Sequence, residues 1–284
     1  KFPVQIISVD SVMVYQGCDI GSAKPEKNIL EKYPHEMIDV ISPNEVFSVA
    51  DFCKASHEII KKTHSLKKLP LFVGGSMMYF KTLLDGIHEL PERDKDYRAE
   101  LEKLNKGNKS NYLYYLLMEK DPVYAKTINK NDEVRIIRAL EIFKSQNKPL
   151  SKILKDNKKE SLANNFEVSQ YGIMEDRKKI HNKIEERLKM MFENGLEQEV
   201  EKLLSCYDIS ENHPIRKSVN YKQLLSYLNG DYDIETCFSK ALYATRQLAK
   251  RQSTWLKSWD DFKKIGTKDI KILEDDFKKI ISSL

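Results

Sequence analysis

The fold is decided by the stretch Val4-Gln5-Ile6-Ile7-Ser8-Val9-Asp10-Ser11. Its apolar residues are all β-branched, which is typical of a parallel strand that is covered on both faces. Further short apolar runs follow at residues 37–41 and 69–73, and a helix that begins after Ser48 lies between them. Strand, helix, strand and helix in this order predict an α/β fold with a parallel sheet flanked by helices.

The middle of the chain has a different character. Residues 92–166 contain amphipathic stretches separated by polar breaks, so we expect an all-helical insertion domain there. Residues 167–174 are expected to return to the sheet, a helix is expected at residues 196–206, and long helices are expected after Asp176 and at residues 234–257. The predicted organisation is therefore an α/β core, formed by residues 1–91 and 167–284, with the helical insertion between its two parts.

Composition excludes several classes of protein. The 284 residues are 40% hydrophobic and 32% charged, with a net charge of +5. No apolar run approaches the roughly 20 residues that a membrane-spanning helix needs. The four cysteines are far apart and form no CxxC pair, which argues against a disulfide framework or a zinc site. We expect a cytoplasmic protein with no signal peptide and no membrane attachment.

Two places can carry chemistry at the carboxyl ends of predicted strands, where open α/β sheets bind ligands. Asp10 can act as a general base, a metal ligand or a ribose clamp, or it can simply cap the next turn. Gly74-Gly75-Ser76 joins a strand to a helix. This sequence can bring backbone and hydroxyl close to an anion, or it can be a tight turn with Ser76 as the N-cap.

Basic residues form three clusters, which together indicate an extended anionic partner. Arg246, Lys250 and Lys257 share one face of the long C-terminal helix, and no acid stands near them in the sequence. We therefore expect a site for a polyanion there. The other two clusters are Arg216-Lys217 with Lys222, and Arg135 with Arg138. Ordinary surface charge remains the alternative for all three. Trp255 is expected in the core.

Taken together, these segments resemble the tRNA dimethylallyltransferases, also called tRNA isopentenyltransferases or the MiaA family. The resemblance covers nearly the whole chain, and its first and last motifs are long and specific. The matching segments are Ile6-Ile7-Ser8-Val9-Asp10-Ser11, Val14 to Pro25, His35 to Ile41, Ser48 to Phe52, Leu69 to Tyr79, Asn131-Asp132 with Arg135 and Arg138, Ser218 to Gln223, and Ala244 to Leu256.

This resemblance implies a P-loop NTPase-like core with a helical insertion that grips the anticodon arm of tRNA. It implies transfer of a dimethylallyl group from its diphosphate to N6 of the adenosine that is 3′-adjacent to the anticodon, in tRNAs reading codons that begin with U. The implied partners are tRNA and dimethylallyl diphosphate, the implied cofactor is Mg²⁺, and a monomer is expected.

The resemblance also assigns roles to residues. Asp10 matches the catalytic carboxylate, and Ser76 and Arg246 match residues that contact the diphosphate and act in catalysis. No metal ligand is assigned. The residues that match tRNA-binding positions are Asp10, Ser11, Val12, Met13, Arg135, Arg138, Lys217, Ser218, Val219, Asn220, Tyr221, Lys222, Lys250, Arg251, Gln252 and Lys257.

The sequence departs from the family's pattern at several points. Its 284 residues contain no GxxxxGK[ST] phosphate loop, which is the family's main cradle for diphosphate. Asn220 stands where the family usually has glycine, and we expect it to keep the turn because Asn tolerates left-handed backbone. Ser76 stands where threonine is usual, so the hydroxyl is retained. Gln16 and Cys18 replace a basic residue and a methionine, with mild effect expected.

Three other functions remain open from the sequence. A relative could prenylate free adenine nucleotides, although a small acceptor needs neither a helical insertion nor three basic clusters. The chain could bind tRNA without activity, which only the missing phosphate loop supports. A P-loop kinase rests on fold analogy alone.

Overall fold

The computed structural model describes residues 2–88, 90–108, 110–156, 161–259, 261–266 and 269–282. These residues form two compact units, one made of Lys1–Leu83 with Glu167–Leu284 and the other of Leu84–Phe166. The sequence placed these divisions at residues 91/92 and 166/167. Each unit is described by itself.

A small parallel sheet lies in the first unit. Strands β1 (Val4–Val9), β2 (His35–Glu36) and β3 (Leu69–Gly74) are arranged in the order β2-β1-β3, so that β1 is central. Ile7 is paired with Glu36 on one side and with Phe72 on the other. The predicted parallel α/β arrangement is confirmed for this part of the chain.

Two helices lie between the strands of this sheet along the chain, and a third follows the last strand. Helix α1 (Lys27–Lys32) precedes β2, and α2 (Val49–Ser65) leads from β2 to β3. The predicted start of α2 is confirmed, since Ser48 and Asp51 form a reciprocal capping box that satisfies two otherwise unpaired amides. Helix α3 (Met77–Asp85) follows β3 directly.

The second strand was predicted over residues 37–41, and this prediction is wrong. Met37 and Asp39 have positive φ angles of 68° and 55°, which a strand cannot accommodate. A lysine with a buried side chain binds this turn: Nζ of Lys24 donates to a carboxylate oxygen of Asp39 and to the carbonyl of Tyr15. Ile41 forms only an isolated bridge with Tyr15.

The C-terminal half of the first unit is mainly helical. Its helices are α10 (Arg177–Glu193), α11 (Leu196–Cys206), α12 (Pro214–Lys217), α13 (Tyr221–Leu228), α14 (Ile234–Lys257) and α15 (Ile270–Ser282). The bounds predicted for α11 and α14 are confirmed. Gly195 has φ +93° between α10 and α11, where a glycine is the least strained residue. The core of this half is built from α10, α11, α13 and α14 around Val14, Tyr15 and Cys18.

Residues 167–174 were expected to return to the first sheet. Instead, β4 (Tyr171–Ile173) pairs in parallel with β5 (Lys263–Ile265), and these two strands form a sheet of their own among the described residues. Gly172 permits this pairing to pack closely, because a Cβ there would lie 2.4 Å from the ring of Phe262.

The second unit is built from helices. They are α4 (Lys95–Gly107), α5 (Tyr112–Lys120), α6 (Pro122–Ala125), α7 (Glu133–Gln146), α8 (Leu150–Asp156) and α9 (Leu162–Asn165). Apolar side chains such as Leu101, Leu117 and Ile136 form its core. Amphipathic stretches are predicted from the sequence at residues 97–104, 112–118 and 134–143, and these lie within α4, α5 and α7.

Candidate active site

The carboxylate of Asp10 lies at the carboxyl end of the central strand. Its Oδ1 accepts hydrogen bonds from the backbone amides of Val12 at 2.8 Å and Met13 at 3.1 Å. The capping role considered from the sequence is therefore present. Because both amides bind Oδ1, Oδ2 is the oxygen that the described residues leave for another donor. Asp10, Ser11, Val12 and Met13 are all half-buried.

The turn Gly74-Gly75-Ser76, called the glycine turn below, passes close to the end of β1, and Gly74 makes this close approach possible. A Cβ on Gly74 would lie 2.2 Å from the carbonyl oxygen of Val9, so only glycine fits there. Ser76 ends this turn at the start of α3. Its amide donates to that same carbonyl at 3.2 Å, and its Oγ accepts from the amide of Ser11 at 3.2 Å. Since Oγ acts as an acceptor here, the hydroxyl proton of Ser76 is available to donate to a ligand.

Helix α14 reaches this place through Gln252. Its Nε2 donates to the carbonyl oxygen of Gly75 at 3.0 Å. Gln252 was predicted to bind tRNA, and in this structure its amide nitrogen holds the glycine turn. The structure therefore brings together Asp10, Ser11, Ser76 and Gln252 from β1, the turn after β3, and α14.

Arg246 lies on α14 with an acidic partner. Its Nη2 donates to Oε2 of Glu185 at 2.9 Å, and Glu185 also pairs with Lys189. The expectation that no acid neutralises this arginine is wrong, because α10 packs against α14 and sequence distance does not reveal that contact. Among the described residues, the buried Nε of Arg246 has no hydrogen-bond partner. Within the same ranges no hydrogen bond joins Arg246 to Asp10 or Ser76.

The C-terminal part of α14 presents an exposed basic face. Lys250, Arg251 and Lys257 are all exposed. Trp255 is 36% exposed, so its expected place in the core is wrong. Its ring centroid lies 6.3 Å from that of Trp259. This face offers positive charge together with an accessible aromatic ring, a combination suited to nucleic acid.

The segment before α13 combines exposed lysines with buried residues. Lys217 and Lys222 are exposed, while Ser218 and Val219 are half-buried. Oγ of Ser218 donates to the carbonyl of Ile215 at 2.6 Å. The two lysines are thus the members of this segment whose charge reaches the surface.

Asn220 and Tyr221 face the protein interior. Asn220 has a positive φ of +74°, a backbone conformation that glycine adopts without strain. That it keeps the turn of the usual glycine stays a prediction. Its Nδ2 donates to the carbonyl of Gly21 at 3.0 Å. Tyr221 is 1% exposed, and burial raises the pKa of its hydroxyl well above the usual value, with the nearby Cys18 and Glu199 adding to the effect.

Arg135 and Arg138 lie on α7 in the second unit, and acids partly neutralise both. Arg135 pairs with Asp132, the N-cap of α7, and this hydrogen bond lowers the pKa of the Asp132 carboxyl. Arg138 lies 3.7 Å from the buried Glu141 and donates to the carbonyl of Pro91. Burial lowers the pKa of Arg138. The predicted basic cluster is therefore less positive than its sequence indicates.

Residues 13–259 match the sequence model of the protein family described as IPP transferase. This chain belongs to the IPP transferase family.

Individual relatives agree with this family. The chain is 39% identical over 260 residues to the tRNA dimethylallyltransferase of Hydrogenovibrio crunogenus, covering 91% of this chain and 80% of the relative. It is similar to the tRNA isopentenylpyrophosphate transferase of Bacillus halodurans, with 31% identity, a TM-score of 0.67, and coverage of 98% of this chain and 88% of that one.

Two further solved structures are similar. The tRNA delta(2)-isopentenylpyrophosphate transferase of Staphylococcus epidermidis has 29% identity and a TM-score of 0.66, covering 99% of this chain and 91% of that one. A eukaryotic dimethylallyltransferase acting on tRNA has 22% identity and a TM-score of 0.77, covering 95% of this chain and 69% of that one. At this identity the last match shows the fold alone.

Sequence reasoning missed two acidic residues that hold other parts of this IPP transferase in place. Glu185 binds Arg246, and Glu199 binds the loop that follows β1. Neither acid stands near its partner in the sequence, and Glu199 contacts residues about 180 positions away. Only the packing of α10 and α11 brings them into place.

Two other kinds of feature are absent from the described part of the chain. None of the helices among the described residues has the length and apolar character needed to cross a membrane. Within the described ranges, no three His, Cys, Asp or Glu side chains are grouped closely enough to hold a metal ion.

Proposed function

We propose that this IPP transferase moves a dimethylallyl group from dimethylallyl diphosphate to N6 of the adenosine that is 3′-adjacent to the anticodon, in tRNAs reading codons that begin with U. The 39% identity to a tRNA dimethylallyltransferase supports prenyl transfer to tRNA. The observation that carries the proposal to particular residues is the hydrogen bond from the Ser11 amide to the Ser76 hydroxyl, which joins Ser76 to the residue that follows Asp10 at the carboxyl end of β1.

Asp10 is the base in this proposal. N6 of adenine attacks the first carbon of the dimethylallyl group, the bond from that carbon to oxygen breaks, and diphosphate leaves with the electron pair. The proton of N6 passes to the carboxylate of Asp10 and then to water. A neutral exocyclic amine is a weak nucleophile, so an acceptor that is already in place lowers the barrier. The two amide hydrogen bonds to Oδ1 hold the carboxylate for this purpose.

Ser76 and Arg246 act on the leaving group. Negative charge develops on the diphosphate as the carbon–oxygen bond breaks, and fixed donors stabilise that charge. Ser76 donates a hydrogen bond from its hydroxyl to the leaving diphosphate. Arg246 supplies a guanidinium, which Glu185 holds from one side.

The proposed core is P-loop NTPase-like, and the proposed insertion binds the anticodon arm. The parallel order β2-β1-β3 and the separate helical unit Leu84–Phe166 support this organisation. The tRNA surface of the core is proposed to include Ser11, Lys217, Lys222 and the basic face of α14. The target adenine has to leave its stack to reach Asp10, as base-modifying enzymes require.

Mg²⁺ is proposed to bind together with the diphosphate of the substrate. The described residues do not fit a metal site formed by the protein, since they group no three acidic, histidine or cysteine side chains. Mg²⁺ is commonly bound through substrate phosphates with few protein ligands. We therefore assign no step of the reaction to it. A monomeric state and a cytoplasmic location stay predictions.

Labelled dimethylallyl diphosphate tests the proposal. The protein is incubated with Mg²⁺ and unmodified tRNA, and a parallel tube contains AMP instead of tRNA. Label in tRNA alone is the expected result. Label in AMP alone would move the activity to free nucleotides, and no label with tRNA still bound would indicate an inactive tRNA-binding protein.

A further inference from the structure

One carboxylate gathers four hydrogen bonds between two distant segments. Oε2 of Glu199 accepts from the backbone amides of Asp19 at 3.0 Å and Ile20 at 2.6 Å. Oε1 accepts from the amide of Gly21 at 3.0 Å and from the hydroxyl of Tyr221 at 2.7 Å. Hydrogen bonds to an ionised carboxylate are stronger than neutral ones, so this contact is a strong link between the loop and α13.

Tyr221 and Gly21 also fit together sterically. A Cβ on Gly21 would lie 2.6 Å from the Tyr221 ring, so the ring occupies the space that a side chain at position 21 would need. Asn220 adds a hydrogen bond from Nδ2 to the carbonyl of Gly21. Both polar backbone groups of Gly21 are thus bound by residues about 180 to 200 positions away.

The three convergent amides form a concave anion-binding arrangement. Successive amides of this kind can bind a phosphate group of a substrate in other proteins. The structure fills this place with Glu199, so a phosphate group has no access to these amides while the carboxylate is there.

The loop has further support that does not depend on Glu199. Oγ of Ser22 donates to the carbonyl of Cys18 at 2.7 Å. Nζ of Lys24, whose side chain is 4% exposed, binds Asp19 and the carbonyl of Tyr15. Removing the Glu199 charge should therefore loosen the attachment of the loop to α13 and leave the loop itself folded.

We propose that Glu199 is a positioning residue for tRNA binding. Its carboxylate fixes the loop after β1, which begins with Ser11, Val12 and Met13, against the segment that contains Lys217 and Lys222. These two segments then present a single surface to the tRNA. The inference rests on the proposed function, because both segments are assigned to tRNA binding there.

The variant Glu199→Gln tests this inference. The glutamine has nearly the same shape, but its NH₂ group cannot accept hydrogen bonds, so amides of the loop lose their acceptor. We expect KM and Kd for tRNA to rise roughly tenfold, in line with the loss of charge-assisted hydrogen bonds. KM for dimethylallyl diphosphate and kcat should stay within about twofold of wild type, because only the uniform binding of tRNA is weakened.

Two companion variants make the result specific. Tyr221→Phe keeps the buried ring and removes one of the four hydrogen bonds, so it should change tRNA affinity in the same direction by a smaller factor. Glu201→Gln removes an exposed carboxylate from the same helix and should leave both affinities unchanged. If Glu199→Gln does not fold, Tyr221→Phe alone decides the question.

The possible outcomes separate this inference from the proposed function. An unchanged tRNA affinity in Glu199→Gln would overturn the inference while wild-type activity still supports the function. A fall in kcat together with similar rises in both KM values would indicate general structural damage and would also overturn the inference. Wild-type protein that binds tRNA without transferring label would contradict the function, and direct tRNA binding by the variants would still test Glu199.

Discussion

The amide of Ser11 donates a hydrogen bond to Oγ of Ser76 at 3.2 Å, which joins the end of β1 to the start of α3. The two residues are 65 positions apart. This bond holds the Ser76 hydroxyl against the residue that follows Asp10, and it leaves the hydroxyl proton free to donate. The contact therefore links the candidate base to the candidate donor for the leaving group.

Replacing Ser76 should reveal which of these roles the hydroxyl performs. Ser76→Ala removes the donor to the diphosphate and leaves the Ser11 amide without its acceptor, so we expect kcat to fall by roughly tenfold or more. Ser76→Thr keeps the hydroxyl and should stay within about threefold of wild type. Steady-state kinetics with saturating tRNA measure both values, and an alanine variant with full kcat would remove Ser76 from the reaction.

Asp10→Asn should abolish most of the activity while leaving tRNA binding nearly normal. The asparagine oxygen can still accept from the amides of Val12 and Met13, so the turn is kept and only the basic carboxylate is lost. We expect turnover to fall by roughly 10² to 10⁴, the range for a lost general base. Asp231→Asn, an exposed acid on a turn, is the matched control. Unchanged turnover in Asp10→Asn would exclude this carboxylate from the mechanism.

Neighbouring glycines should differ sharply in their tolerance of a methyl group. Gly74→Ala places a Cβ 2.2 Å from the backbone carbonyl of Val9, whereas Gly75→Ala meets Nε2 of Gln252, which is the end of a flexible side chain. We expect Gly74→Ala to reduce the free energy of unfolding by roughly 3 kcal/mol and Gly75→Ala by less than about 1 kcal/mol. Urea denaturation measures both. Equal losses would show that the turn is not packed as described.

The basic face of α14 should contribute to the salt dependence of tRNA binding. Lys250→Ala combined with Lys257→Ala removes two exposed charges, so tRNA affinity should fall and the slope of log K against log salt concentration should become shallower by about one to two. The pair Lys54→Ala and Lys61→Ala removes two exposed charges from α2 and serves as control. An unaltered slope in the first pair would place the binding face elsewhere.

The thiols should differ in reactivity by their burial. Cys18, Cys53 and Cys237 are buried and Cys206 is exposed. Burial raises the pKa of Cys18 to about 12 and those of Cys53 and Cys237 to about 11. Because the thiolate is the reactive form, we expect one rapidly alkylated thiol in the folded protein at pH 8 and four after unfolding. Mass spectrometry counts them, and rapid labelling of Cys18 would contradict the described core.

The raised thiol pKa values also predict how the free energy of unfolding changes with pH. The folded state keeps protons that the unfolded chain loses at lower pH, so the contribution of these thiols is fully present below the ordinary thiol pKa. It decreases as the pH rises from about 9 through 11 to 12. Unfolding measured at pH 7 and pH 10 should therefore show lower stability at the higher pH, and Cys237→Ala should reduce that difference.

Local signals predicted much of the fold. The bounds of α11 and α14 follow from hydrophobic periodicity, and the start of α2 follows from its capping box, because these features depend on neighbours in the chain. The turn at Met37 and Asp39 was missed because its contacts come from outside the local window: the buried amine of Lys24 binds the Asp39 carboxylate, and the Asp39 amide donates to the carbonyl of Met13. The pairing of β4 with β5 likewise depends on a strand about 90 residues away.

The candidate site was predicted less completely. Asp10 and Ser76 were identified as candidate site residues because they come at the carboxyl ends of predicted strands. The acid beside Arg246 and the carboxylate that holds Gly21 depend on helix packing, which periodicity does not report. Gln252 was assigned to tRNA binding through the family resemblance, and its contact with Gly75 adds a structural role that the motif did not reveal.

The most direct measurement maps the labelled nucleotide in tRNA. Two unmodified tRNAs are compared, one with adenosine 3′-adjacent to the anticodon and one with guanosine at that position, each incubated with labelled dimethylallyl diphosphate and wild-type protein. We expect label on N6 of that adenosine in the first tRNA and none in the second. Label in the guanosine-containing tRNA, or at another nucleotide of the first, would contradict the proposed transfer.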